Sequence, residues 1–125
     1  MRSFRALPLA LVLLACACGG GGEPETSLAS AGKALYADKG CIACHAVDGS
    51  TLIGPTWKGL YQSEVVLADG TRVVADEAYL AESMLQPSAK TVANFPPGLM
   101  ETVIKPNSLS GEEVDALVAY IKSLP

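Results

Sequence analysis

The sequence predicts a mainly α-helical domain carrying one small β-hairpin, and three observations predict it. Apolar residues recur at helical spacing early in the domain (Leu28, Ala31, Gly32, Leu35) and again at its end (Val114, Leu117, Val118, Ile121). Ser110-Gly-Glu-Glu113 has the form of a capping box, in which side chain and backbone satisfy each other's free donors at a helix start. Asp69-Gly70 separates Val65–Ala68 from Thr71–Val74, two short runs fit for strands, and this dipeptide favours a type I′ turn.

In chain order, Thr26 or Ser27 caps a first helix that runs to about Asp38 and stops at Lys39-Gly40. Leu52 to Pro55 reads as loop, and Thr56 caps a short turn holding Trp57 and Leu60. After the hairpin, Asp76 opens a helix through Gln86, which Pro87 stops because it cannot donate to the helical ladder. Asn94 to Met100 contains Pro96, Pro97 and Gly98 and reads as a loop, ordered or disordered. The capping box then opens the final helix.

The 125 residues have room for one ordinary domain behind a leader. Half are hydrophobic and 18% are charged, which excludes a disordered chain. Nine basic against thirteen acidic residues give a net charge of −4, and no Lys/Arg cluster supplies a nucleic-acid surface, so that class of partner is excluded.

Arg2, Arg5 and the apolar run Ala6 to Leu14 form the basic and apolar regions of an export signal, too short to span a bilayer. Leu13-Leu14-Ala15-Cys16 resembles a lipobox, so residues 1–15 are expected to be a lipoprotein signal peptide and Cys16 the lipidated N-terminus. Ala15-Cys16-Ala17 is also readable as an ordinary cleavage site ahead of Cys18. Two or more acyl chains anchor stably, at about 0.8 kcal/mol per buried methylene. Residues 16–26, with Gly19 to Gly22, form a flexible linker, and residues 27–125 the domain. Loss of residues 1–15 leaves seven basic and thirteen acidic residues, a net charge of −6.

Of the four cysteines, Cys16 and Cys18 lie at the leader junction, and the other two stand in Cys41-Ile42-Ala43-Cys44-His45. Cys-x-x-Cys-His is the attachment sequence of c-type haem. Residues three apart share a helical face, so both thiols reach the vinyl groups of one porphyrin, and His45 then offers its imidazole to the iron as proximal ligand. A thioredoxin-like pair would need a strand before it in a βαβ unit, and zinc would need further Cys or His ligands, whereas His45 is the sole histidine. One haem c, bound through Cys41 and Cys44, is the expected cofactor.

With this motif near the start and a capped helix at the end, the chain resembles a class I c-type cytochrome from Ser27 to Pro125. Gly32 and Tyr36 match the family's first helix and Leu117, Tyr120 and Ile121 its last. Within the family the chain most resembles the cytochrome c domain of subunit II of bacterial haem-copper oxidases. The shared stretches are Leu67 to Thr71, Ala75 to Leu80 and Val118 to Leu124, here without a copper domain. The resemblance implies the class I cytochrome c fold, a few helices wrapped around one covalently bound haem with a small β-hairpin insertion.

It also implies a sixth iron ligand. Met100, 55 residues beyond His45 on the Pro-rich segment before the last helix, matches the family's axial methionine, although Glu101 follows it where many relatives have proline. The rival, Met84, sits in a helical stretch one turn after Leu80, where core packing accounts for it. His/Met ligation raises the reduction potential. Pro55 resembles the family proline whose carbonyl accepts from the proximal imidazole, and Trp57 the residue that donates its indole N–H to a haem propionate; core packing is the alternative for both. Lys39, Lys58, Lys90 and Lys105 rim an exposed haem edge or simply solvate the surface, and an acidic docking face is an equal alternative.

The expected function is that of a membrane-anchored monohaem electron carrier on the outer, periplasmic face of a bacterial cytoplasmic membrane. It would pass electrons from a quinol-oxidising complex or dehydrogenase to a terminal oxidase, as a monomer or as a subunit of a respiratory assembly, and would not be an enzyme. A peroxidase-like enzyme or ligand sensor would need a labile methionine and a distal His or Arg, but His45 is committed and Arg72 is the one arginine beyond the leader.

Overall fold

A computed structural model describes residues 24–125. The expected signal peptide, the first part of the linker, and Cys16 with its alternative Cys18 lie outside the described residues. Helix α1 (Pro24–Asp38) begins two residues before the Thr26 expected to cap it, inside the stretch expected to be linker. Proline suits a first turn, where its missing N–H has no helical partner to lose. The helix stops at Gly40, whose φ of +79° is a left-handed conformation open to glycine without strain.

One 3₁₀ turn (Cys41–Ala43) follows, then a long irregular segment to the hairpin β1 (Glu64–Val66) and β2 (Arg72–Val74), antiparallel with Val65 opposite Val73. The turn between them is not type I′. Gly70 N–H donates to Leu67 O and Leu67 N–H to Thr71 O, closing a three-residue loop, and only Gly70 of the Asp69-Gly70 pair has positive φ. A three-residue loop places one residue in the left-handed region, and the glycine takes it. Asp69 instead accepts from the Thr71 N–H at 2.9 Å.

Helix α2 (Glu77–Leu85) starts where Asp76 Oδ1 accepts from the Tyr79 N–H at 2.8 Å and ends before Pro87. The chain then returns to the hairpin: Ala68 N–H donates to Thr91 O and Ala93 N–H to Val66 O, with a bridge between Leu67 and Val92. That return orders the segment entering Asn94–Met100. Helix α3 (Leu99–Val103) is an addition to the expected elements, so Met100 stands on a helix and not on a loop. Gly98, at φ +75°, turns the chain out of the Pro96-Pro97 stretch into it.

Helix α4 (Gly111–Ser123) has both bonds of the capping box, Glu113 N–H to Ser110 Oγ at 3.2 Å and Ser110 N–H to Glu113 Oε2 at 2.9 Å. Helices α1 and α4 cross at Gly32, where a Cβ would lie 1.9 Å from the Ala116 carbonyl oxygen. Only glycine permits that approach, and it brings Tyr36 against Leu117, Tyr120 and Ile121 in the main core. A satellite core of Val65, Leu67 and Ala75 sits under the hairpin. Among the described residues the architecture is four α-helices and a two-stranded antiparallel sheet, the mainly helical fold expected. No helix among the described residues is long and apolar enough to cross a membrane.

Candidate haem-binding site

The site begins in the turn after α1. Cys44 N–H and His45 N–H both donate to Cys41 O, at 3.1 and 2.9 Å, so one tight turn carries Cys41, Cys44 and His45. The following chain folds back over it: Gly54 N–H donates to Cys44 O at 2.8 Å, and Ala46 O accepts from Trp57 N–H and Thr56 Oγ1 at 2.8 and 3.0 Å. This return puts Pro55 beside the imidazole. His45 Nδ1 donates to Pro55 O at 2.8 Å, and since a carbonyl only accepts, the proton is on Nδ1 and the lone pair on Nε2.

Burial pushes the His45 imidazole below its ordinary pKa, partly opposed by the bond to Pro55. The ring is therefore neutral near pH 7, the form that ligates iron. Burial pushes the Cys41 thiol up. Trp57 stacks on His45 with ring centroids 5.3 Å apart and packs on Tyr36, which packs in turn on Tyr120. Tyr36 Oη donates to the His45 carbonyl at 2.5 Å. The helix-crossing core thus reaches His45 through three aromatic rings and one hydrogen bond. Sequence reasoning placed Tyr36 only in the helix pattern, because nothing in local spacing signals a bond nine residues along.

Cys41, Cys44 and His45 line a cavity of about 480 Å³ together with Met84, Met100 and Phe95. This is the size of a pocket for a cofactor-sized ligand. Trp57 is 4% exposed and lines the cavity, yet among the described residues no acceptor bonds its indole N–H. Gly54 packs so tightly on His45 that a Cβ would lie 2.6 Å from Cε1. Two free thiols, an imidazole, a thioether and an indole donor lining the same cavity fit a haem attached through both cysteines.

Met100 and Met84 both line this cavity but differ in setting. Met84, 4% exposed, is a member of the main core, whereas Met100 is half-buried and packs on that core from outside. Of the four lysines expected at a haem edge, Lys58 and Lys90 line the cavity, and Lys90 is paired with Glu82. Lys39 is bound to Glu113 at 2.6 Å at the junction of α1 and α4, and neither it nor Lys105 lines the cavity.

A family model described as Cytochrome c matches residues 29–125. The chain is similar to a cytochrome c-551 of Azotobacter vinelandii, 30% identical over 72% of this chain and 93% of that protein. It is similar to a cytochrome c-551 of Pseudomonas aeruginosa, 29% identical over 73% of this chain and 74% of that one. A cytochrome c oxidase subunit 2 of Alkalihalophilus pseudofirmus is 28% identical over 82% of this chain, which spans only 27% of that longer relative.

Proposed function

The chain belongs to the cytochrome c family, and on that premise we propose that it is a lipid-anchored one-electron carrier of a respiratory chain, working outside the cytoplasmic membrane between a quinol-oxidising complex or dehydrogenase and a terminal oxidase. Membership carries the coarser statement by itself: this is a monohaem electron-transfer protein with haem c attached through Cys41 and Cys44, not an enzyme. The bound group supplies one-electron iron chemistry. The polypeptide supplies its enclosure.

The observation that carries the reading is the common presentation of Cys41, Cys44 and His45 to one cavity, with Pro55 holding the imidazole tautomer. His45, through Nε2, and Met100 would hold the iron, and with both bound no position would be left for a substrate. Trp57 would offer its N–H to a propionate, and the apolar lining would exclude water. Mostly apolar lining and a neutral thioether both favour the reduced state and a high potential.

The lipid anchor rests on Leu13-Leu14-Ala15-Cys16. The similarity to an oxidase subunit supports an oxidase as acceptor, and equally a permanent place in such an assembly.

The test is expression with haem c maturation, followed by fractionation and spectroscopy. Expected are a mass increased by one haem, a weak far-red sulfur-to-iron absorption when oxidised, slow carbon monoxide binding when reduced, and release from membranes on Cys16→Ser. A colourless exported protein would overturn the whole reading. A coloured protein that stays soluble with Cys16 intact would remove the anchor alone, and one purifying only with oxidase subunits would replace a mobile carrier by a fixed one.

A further inference from the structure

Helix α3 has too few residues to be stable by itself, since isolated helices below roughly 12 residues are marginal in water. Its packing is thin as well. Met100 and Ile104, one turn apart, turn inward, but Leu99 and Val103 are 42% and 56% exposed. Something else must hold the segment, and two hydrogen-bonded clips do.

At the front, Ser88 Oγ donates to Glu101 Oε2, joining the turn after α2 to the residue beside Met100. At the back, Gln86 Nε2 donates to Asn107 Oδ1 at 3.0 Å and Asn107 N–H donates to Leu85 O at 2.9 Å. Residue 101 lies within α3 and residue 107 in the turn after it, and residues 85–88 form the end of α2 and its exit, so both clips close on one short stretch at the end of an independently capped helix.

We propose that Ser88, Glu101, Gln86 and Asn107 are positioning residues that hold Met100 over the cavity and thereby set how rarely the sixth iron position opens to a small exogenous ligand. The inference rests on the reading of Met100 as sixth ligand. Losing a clip leaves the fold standing on α1, α2 and α4 while raising the fraction of molecules with α3 displaced. A solvent-exposed bond of this kind changes such a population roughly three- to tenfold when lost.

The test uses the haem-loaded protein. Ser88→Ala and Glu101→Ala should each speed carbon monoxide binding to the reduced form roughly three- to tenfold and weaken the far-red absorption. The double variant should be no faster than Glu101→Ala, because both remove one bond. Glu101→Gln, whose amide oxygen still accepts from Ser88, should restore the parental rate. Gln86→Ala, acting on the other clip, should multiply the effect of Ser88→Ala. Tyr61→Phe, which removes a distant bond to Glu77, should cost stability without changing either readout. Parental binding rates in Ser88→Ala and Glu101→Ala would overturn the proposal, as would failure of Glu101→Gln to restore. Met100→Ala separates the two levels: if it keeps the far-red absorption, the ligand assignment itself falls, and if it loses it while the clip variants behave as parent, only the clips do.

Discussion

His45 Nδ1 lies 2.8 Å from the carbonyl oxygen of Pro55, and the residue that makes this approach possible is Gly54. A Cβ on residue 54 would stand 2.6 Å from His45 Cε1 and 2.9 Å from Nδ1, closer than packed atoms come. Gly54→Ala should therefore push the imidazole out of line, costing about 1–3 kcal/mol of stability by overpacking. In the haem-loaded protein the change should appear as a partly high-spin spectrum and poor haem yield. An unaltered low-spin spectrum would show that the proximal wall yields more readily than its geometry implies.

A harder clash waits at the helix crossing. Gly32→Ala would place Cβ 1.9 Å from the Ala116 carbonyl oxygen and 2.7 Å from Tyr120 Cβ, so α1 and α4 would have to separate. That separation loosens Tyr36 from Leu117 and Tyr120, and the cost should exceed about 3 kcal/mol, beyond ordinary surface or loop changes. Denaturant unfolding of the haem-loaded variant measures it, and a loss under about 1 kcal/mol would refute tight contact at this point.

What could be read in advance follows the range of the interactions involved. Asp76 and Ser110 cap their helices through bonds three residues long, and Cys41, Cys44 and His45 share one turn, so the letters and their spacing contain the geometry. The hairpin was legible as a hairpin but not in its turn type, because register is decided by the Val65–Val73 pairing and the loop takes whatever length remains. Leu67 with Val92, Tyr36 with His45, and Ser88 with Glu101 join segments whose meeting depends on the finished fold. Helix α3 escaped notice for another reason: five residues after Pro-Pro-Gly are too few to show a period.

Glu77 predicts a specific acid limb in the stability profile. Tyr61 Oη donates to its carboxylate at 2.5 Å and Lys122 Nζ lies 3.2 Å away, tying the start of α2 to the end of α4. The bond from Tyr61, then the backbone at Glu77, then Lys122 bring its pKa from 4.5 down to about 2. A carboxylate with a lowered folded-state pKa stabilises fully above its unfolded value, and loses that contribution as pH falls from about 4.5 through about 2. The unfolding midpoint of the parent should fall more steeply across that window than that of Glu77→Gln. Parallel profiles would mean that the carboxylate is no better held folded than unfolded.

The two methionines on the cavity wall should part company when truncated. Met84 belongs to the main core at 4% exposure, so Met84→Ala should leave a void costing about 2–5 kcal/mol while the far-red sulfur-to-iron absorption persists. Met100 is half-buried on a short helix whose outer residues already face solvent, so Met100→Ala should cost less stability yet abolish that absorption and open the reduced iron to carbon monoxide. Stability and ligation are thereby assigned to different sulfurs. If Met84→Ala were instead the variant that lost the absorption, α2 and not α3 would carry the sixth ligand, and the clips around Glu101 would have nothing to position.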